Sequence, residues 1–358
     1  MPQIFDIQGA PLELLDVGEL ALIHSNYKPV DTWLLDKFFP NRPLFERKDV
    51  PLAEITSDHD LAPLVSPKNA GKAFDTNQAG EVRYVKPAYY KPKNQVTPAD
   101  TFEIALLERL RSAEIISTGS QSLSYQEKMI LAQVATIKRN HDAIDNSVIL
   151  MAVDLLKTGK YTLQSDDYDR NEVDFKRTAA LNYTPSTLWN ANGATPVDDI
   201  RRMLERQLEA DGGEAEVALM SGLVWQSLWN NEAFKKEFIT PYAGISVPVN
   251  PSFGAKKAAT FKGKFDGIEF WTYDQNYRHK GQVKRLIPKD YFGLVSDTNG
   301  SVAHCAIEEM NGSVTQQYYD TQEYIKDPRG IQLMTESAPL VAPSNKNGVV
   351  GGSGFITV

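Results

Sequence analysis

A single cysteine, Cys305, in 358 residues excludes an internal disulfide and any metal cluster that needs several thiolates. It fits a reducing compartment and reads as a small buried apolar residue. Long apolar runs are missing too: nowhere do about 18 such residues follow one another, so no membrane-spanning helix is expected. The opening Met1-Pro-Gln-Ile-Phe-Asp6 lacks the basic and apolar blocks of a secretory signal. Basic charge is in deficit, with 38 Lys plus Arg against 46 Asp plus Glu and a formal net charge of −8. That leaves no global basic field to draw in nucleic acid, and sequence-specific DNA reading is not expected. The five histidines (His24, His59, His141, His279 and His304) are scattered without ligand spacing. The glycine-rich phosphate loop, the dinucleotide fingerprint, the nucleophile elbow and His-Glu-x-x-His are all absent. No catalytic, cofactor-binding or metal-binding residue is therefore assigned, and no cofactor is expected.

What is present is ordinary globular composition, 42% hydrophobic and 23% charged, over a length that favours two compact regions. The clearest element runs from Ser124 to Gly159. Ser124-Tyr-Gln-Glu127 is a capping box, in which a serine oxygen and a glutamate side chain satisfy the free amides of a helix start. Ile130, Val134, Ile137, His141, Ile144, Val148, Met151 and Leu155 then recur at steps of four and three, with Lys128, Arg139, Asn146 and Lys157 facing away. Gly159 ends the helix in a left-handed cap. Such a stripe suits a coiled coil or bundle, but no second helix of matching length follows. Packing on a sheet is the better reading, with His141 as a core or interface residue.

Around this helix the pattern changes several times. Residues 1–30 read as an arm with a short possible helix over Leu12–Ala21, and the apolar Asp31–Pro40 as an anchor docking on something larger. Arg47–Pro98 carries prolines at 51, 63, 67, 87, 92 and 98, which forbid a long helix and tolerate only edge strands. So long an excursion makes sense lying on a neighbour. Lys160–Gln164 and Glu172–Phe175 read as strands. Thr195 to Asp199 supplies a helix cap, proline at the first helical position and acids in the first turn, opening a helix that ends near Asp211-Gly-Gly213. Glu216–Met220 reads as a strand, Ser221 as the cap of another helix, and Asp266-Gly267 as a hairpin turn. Ile331–Val341 offers strands on either side of Pro339, and Phe355–Val358 a last one. The Asn-x-Ser/Thr triplets at Asn182, Asn299 and Asn311 read as turns.

Several groups invite a chemical reading. Val82–Lys93 interleaves aromatic and basic residues, as a strip for single-stranded nucleic acid would, but it is short and broken by proline. The pairs Asp166-Asp167, Asp198-Asp199 and Glu308-Glu309 suggest acid and base work, yet adjacent side chains point apart and solvated turns explain them better. Arg278–Arg285 is a basic cluster in a hairpin connection, by default a solvated loop, with a contact to a neighbouring subunit or DNA as the sharper alternative. Lys68 and Lys72 lie near the turn candidates Gly71 and Gly80 and read as surface lysines.

The order of parts and several local sequences resemble the lambda-type major capsid (head) protein family of tailed bacteriophages, which has the Hong Kong 97 capsid fold. The matches are Asp31–Phe39, Tyr84-Val-Lys-Pro87, Tyr90-Lys-Pro-Lys93 before Val96-Thr-Pro98, Leu156–Thr162 leading to Val173-Asp174, Pro196–Ile200 and Glu336–Leu340. The resemblance implies an α+β fold: an N-terminal arm (1–47), an extended loop (48–98), a peripheral domain (99–184 and 323–358) with its spine helix at about 124–158, and an axial domain (185–322). It implies a shell subunit that self-assembles into pentamers and hexamers of an icosahedral head around double-stranded DNA. Scaffold, portal and a decoration protein are the expected further partners. Assembly is expected in the host cytoplasm, with no membrane and no turnover. The alternatives are another virion or decoration component, or a hydrolase with an unrecognised site in the mixed lobe.

Overall fold

The computed structural model describes residues 4–7, 10–13, 31–55, 80–97, 125–165, 168–239, 258–279, 281–309 and 312–358. Near the N-terminus β1 (Ile4–Ile7) pairs antiparallel with β2 (Ala10–Glu13). Next come α1 (Trp33–Phe38), β3 (Leu44–Phe45), and a ribbon of β4 (Val50–Ile55) with β5 (Gly80–Val85). β6 (Lys93–Val96) precedes the long α2 (Tyr125–Thr158) and the hairpin β7 (Lys160–Ser165)/β8 (Tyr168–Asp174). α3 (Pro196–Glu209), β9 (Val217–Met220), α4 (Gly222–Asn230) and α5 (Glu232–Ile239) alternate. Two hairpins follow, β10 (Ala259–Phe265)/β11 (Ile268–Tyr273) and β12 (Asn276–His279)/β13 (Gln282–Arg285). The remaining strands are β14 (Phe292–Val295), β15 (Ser301–Cys305), β16 (Ile307–Glu309), β17 (Gly312–Val314), β18 (Tyr319–Lys326), β19 (Arg329–Glu336), β20 (Pro339–Ala342) and β21 (Val349–Gly352). The larger sheets have the strand orders β10-β11-β9-β14-β21, β20-β15-β3 and β18-β19-β6.

The helix α2 spans 34 residues, roughly 50 Å at about 1.5 Å per residue. The next longest described helix has 14 residues, so no bundle partner exists among the described residues. Instead α2 lies against β6, β7, β19 and β20. Gly159 ends it at φ 74°, its amide donating to the Leu155 carbonyl at 2.8 Å; the expected cap Ser124 lies outside the described residues. The apolar stripe is buried from Val134 to Leu155, but Ile130 at its start is exposed. Beyond the stripe, Ile149, Ala152, Val153 and Leu156 are buried as well, because the last turns of α2 pass through the centre of a core. That core also holds Leu34, Leu35, Phe38 and Phe39. Trp33 packs on Trp271 and Tyr273 at 4.8 and 5.9 Å between centroids, so the Asp31–Pro40 anchor docks on the chain's own body.

The second core lies on the other face of the five-stranded sheet, under α3, α4 and α5. Trp225 is fully buried there against Phe234, Phe238 and Phe270. Alternation along β9 explains the two cores: Val217 and Leu219 enter the first, Ala218 and Met220 the second. Ser221 caps α4, accepting from the Val224 amide at 3.2 Å. Asp266 and Gly267 both adopt positive φ, 49° and 82°, the pairing a tight two-residue hairpin needs.

Three expectations change. Thr195 makes no side-chain cap to α3, although Pro196 does occupy its first turn. Phe355–Val358 is no strand: β21 ends at Gly352, Gly354 follows at φ 91°, and Phe355 is buried in the second core. The helix expected over Leu12–Ala21 begins inside β2, and residues 14–21 lie outside the described residues. Pro339 begins β20 and so interrupts no ladder.

Candidate assembly surfaces

The first half of α2 is held to its sheet by polar groups inside the apolar stripe. His141 Nε2 lies 2.9 and 3.0 Å from the Asp320 oxygens at the start of β18, and its ring stacks on Tyr318 at 4.3 Å. Thr335 of β19 donates to Asp320 at 2.6 Å, Asn140 donates to Thr335 at 3.3 Å, and Asn94 of β6 donates to Asn140. One connected network thus spans the helix and all three strands of the sheet. Next to it the Tyr318 hydroxyl donates to Asp145, whose carboxyl is raised above its ordinary range chiefly by burial. At the far end of α2, Arg177 donates to the carbonyls of Leu156 (3.1 Å) and Lys157 (2.6 Å). A cation there meets the last free carbonyls and the negative end of the helix dipole.

The β4/β5 ribbon is a two-stranded sheet of its own, with Val50 and Val85 buried in the first core. Arg83 donates to the Asp174 carbonyl at 2.7 Å, and Tyr90 and Ser337 exchange backbone hydrogen bonds at 2.9 and 3.0 Å. Tyr89 and Lys91, two members of the aromatic and basic strip, both turn to the buried Glu336, Lys91 at 2.9 Å. Burial and this hydrogen bond push the Tyr89 hydroxyl well above its ordinary value. Tyr84 remains exposed. A strip whose tyrosine and lysine are engaged by a carboxylate of the same chain is poorly disposed to stack bases.

The remaining groups singled out in the sequence do not converge. Asp198 faces solvent beside Arg201, whereas Asp199 is buried and accepts from Tyr183 (2.6 Å) and Trp189 (2.9 Å). Glu308 pairs with Lys48 on the surface. Cys305 is buried, and burial pushes its thiol up to about 11. Burial pushes His304 down to about 4, with Arg42 adding to the effect, so the ring stays neutral at ordinary pH. His279 is exposed on β12, and Arg285 of the basic cluster pairs with Asp274 at 2.7 Å. His24, His59, Lys68, Lys72, Asp166 and Asp167 lie outside the described residues. Among the described residues no group of three or more His, Cys, Asp or Glu is placed to hold a metal. Sequence reasoning missed Arg177 and the Asn94–Asn140–Thr335–Asp320 chain, whose bonded neighbours lie up to 195 positions apart and carry no local signature.

Comparison with known proteins agrees with a scaffold of this kind. A sequence model of the family described as phage major capsid protein E matches residues 16–353. The major capsid protein of Enterobacteria phage P21 is 25% identical over 317 residues, covering 86% of this chain and 89% of that protein. The major capsid protein of Escherichia phage lambda is 24% identical over 341 residues, covering 92% and 96%. Among solved structures, a candidate capsid protein of a prophage in E. coli CFT073 superposes with a TM-score of 0.69 at 20% identity, over 96% of this chain and 99% of that one.

Proposed function

The chain belongs to the phage major capsid protein E family, and from that membership we propose that it is the subunit that builds the head shell of a tailed bacteriophage and encloses the double-stranded genome. It is a structural protein, not an enzyme. The observation that carries this reading is the family match across residues 16–353, nearly the whole chain. In the Hong Kong 97 arrangement, residues 1–47 form the arm, 48–98 the extended loop, 99–184 with 323–358 the peripheral domain, and 185–322 the axial domain. The separate β4/β5 ribbon, the long helix on a sheet and the second core under α3–α5 support that division. Many copies bury loop, arm and axial edges against one another in pentamers and hexamers, which calls for stable interfaces and no turnover. Scaffold, portal and a decoration protein are the further partners, assembly takes place in the host cytoplasm, and the mature location is the virion.

Electron microscopy of the purified protein, alone and co-expressed with its scaffold, tests the proposal. Closed particles of uniform diameter are expected. Monodisperse monomers under every condition, with a measurable turnover, would overturn it.

A further inference from the structure

Four asparagines stand directly before a glycine: Asn192, Asn299, Asn311 and Asn347. Asparagine is thermolabile, and a following glycine, having no side chain, lets its amide nitrogen come close to the carboxamide carbon. The immediate sequence makes the four steps alike, and the fold sets them apart. Asn311 lies outside the described residues. Two of the other three are clamped. The Gly300 amide donates to the Phe38 carbonyl at 2.9 Å, the Asn299 carbonyl accepts from Asn41 at 2.9 Å, and a Cβ at position 300 would collide with the Phe39 ring. Asn347 is buried, its carboxamide accepting from the Thr178 amide at 3.0 Å and donating to the Ala210 carbonyl at 2.7 Å. The Gly348 amide donates to the Asn345 carbonyl at 3.1 Å. Either step must give up such bonds before it can react.

Asn192 has none of these restraints. Residues 191–194 form a turn closed by one long bond, from the Ala194 amide to the Ala191 carbonyl at 3.4 Å. Gly193 occupies its third place at φ 80°, where glycine is the favoured residue, and a Cβ built there would meet nothing within 4 Å. Both residues are exposed. Among the described residues neither the Asn192 carboxamide nor the Gly193 amide has a hydrogen-bond partner. The turn is nonetheless held at its two ends. Asn190 donates to the Thr357 carbonyl and accepts from the Thr357 amide, both at 3.2 Å, and Asn231 donates to the Ala194 carbonyl at 3.1 Å. Pro196, the first residue of α3, follows directly.

We propose that Asn192-Gly193 is a site of spontaneous deamidation and isoaspartate formation, and that the fold protects Asn299 and Asn347 from the same reaction. The Gly193 amide nitrogen attacks Asn192 Cγ: the N–Cγ bond forms, the Cγ–Nδ2 bond breaks, and ammonia leaves with the glycine's proton. Water then opens the resulting succinimide, at one carbonyl to aspartate and at the other to isoaspartate, whose backbone runs through the side-chain carbons. The only co-reactant is water, which reaches this exposed turn freely. Each event adds one carboxylate to a chain whose formal net charge is already −8. The anchors at Asn190 and Ala194 confine the extra backbone atom of isoaspartate to the turn, so α3 keeps its place.

Ageing the purified full-length chain in warm, mildly alkaline buffer, followed by proteolytic mapping and mass spectrometry, tests this. Replacement of NH2 by OH is expected at Asn192, as two isomeric peptides, at least about tenfold faster than at Asn299 or Asn347, which must first break hydrogen bonds. One of the two isomers is expected to take a labelled methyl group from S-adenosylmethionine when treated with an isoaspartyl methyltransferase. In the same chain unfolded in guanidinium the three rates are expected to converge, because the clamps are gone. Asn192→Gln is expected to remove both products from this turn with an unchanged thermal melt. The proposal is overturned if the folded chain keeps Asn192 intact while the unfolded chain converts it, if Asn299 or Asn347 converts as fast as Asn192 in the folded chain, or if unfolding leaves the gap between the three sites unchanged.

Discussion

Up to Ala143 the helix α2 is a surface element with one buried face, and from Ile144 onward it is a core element buried almost all round. The two halves are continuous, yet different forces hold them. Met129, Val134 and Ile137 are buried against the β18-β19-β6 sheet outside both large cores, and the same face carries Gln133, Asn140 and His141. Ile144 to Leu156 instead supply eight side chains to the first core. The second half is fixed by close packing, which tolerates little change of volume. The first half is fixed by a hydrogen-bonded network, which sets position sharply but is fragile if one member is lost. A strut of this design is anchored firmly at one end and aimed by polar contacts at the other.

The largest expected effect comes from breaking the strut in its packed half. Val148→Pro removes a backbone hydrogen bond and introduces a clash, about 3 kcal/mol or more before the lost packing is counted. No shells are expected by electron microscopy, and normal shells would contradict the strut. Next is Asp320→Ala, which leaves His141 and Thr335 facing an empty buried site. Each buried polar group left without its partner costs about 1–3 kcal/mol, measurable as a lower midpoint in urea. A loss under about 1 kcal/mol would mean that the first half, too, is held by apolar contact.

Asp145 sits where the halves join, and its raised carboxyl gives a pH-dependent expectation. Because the folded chain holds this proton more tightly than the unfolded chain, the group's contribution is fully present below the unfolded value. It is lost as pH rises through the higher folded one. Asp145→Asn is therefore expected to raise the melting temperature modestly at neutral pH and to give no gain in acid. An equal gain at both would place the effect elsewhere. The smallest effect is expected at Ile130, exposed where the periodicity predicts burial. Ile130→Gln should change stability by no more than about 0.5 kcal/mol.

Ile130 also shows how far the sequence carries. The four-and-three spacing locates α2, its length and its end at Gly159, since helical periodicity and a left-handed glycine are local properties. It does not say where along the helix the sheet stops and the core begins. Ile130 and Ile144 look equivalent in the repeat, and only tertiary packing separates them. Asp266-Gly267, Ser221 and Pro196 were legible for the same local reason. His141 was legible as an interior residue but not as the partner of Asp320, 179 positions away. Arg177 offered no signal at all, because its role depends on the chain returning to the end of α2. The basic run at 278–285 was visible, but the pairing of its Arg285 with Asp274 shows only once the hairpin is folded.

Native-state hydrogen exchange along α2 tests most directly that one helix is held in two ways. Amides from Ile144 to Leu156 are expected to exchange only with global unfolding, and those from Met129 to His141 through a local opening that Asp320→Ala accelerates. Uniform protection along the whole helix, unmoved by that substitution, would contradict the account.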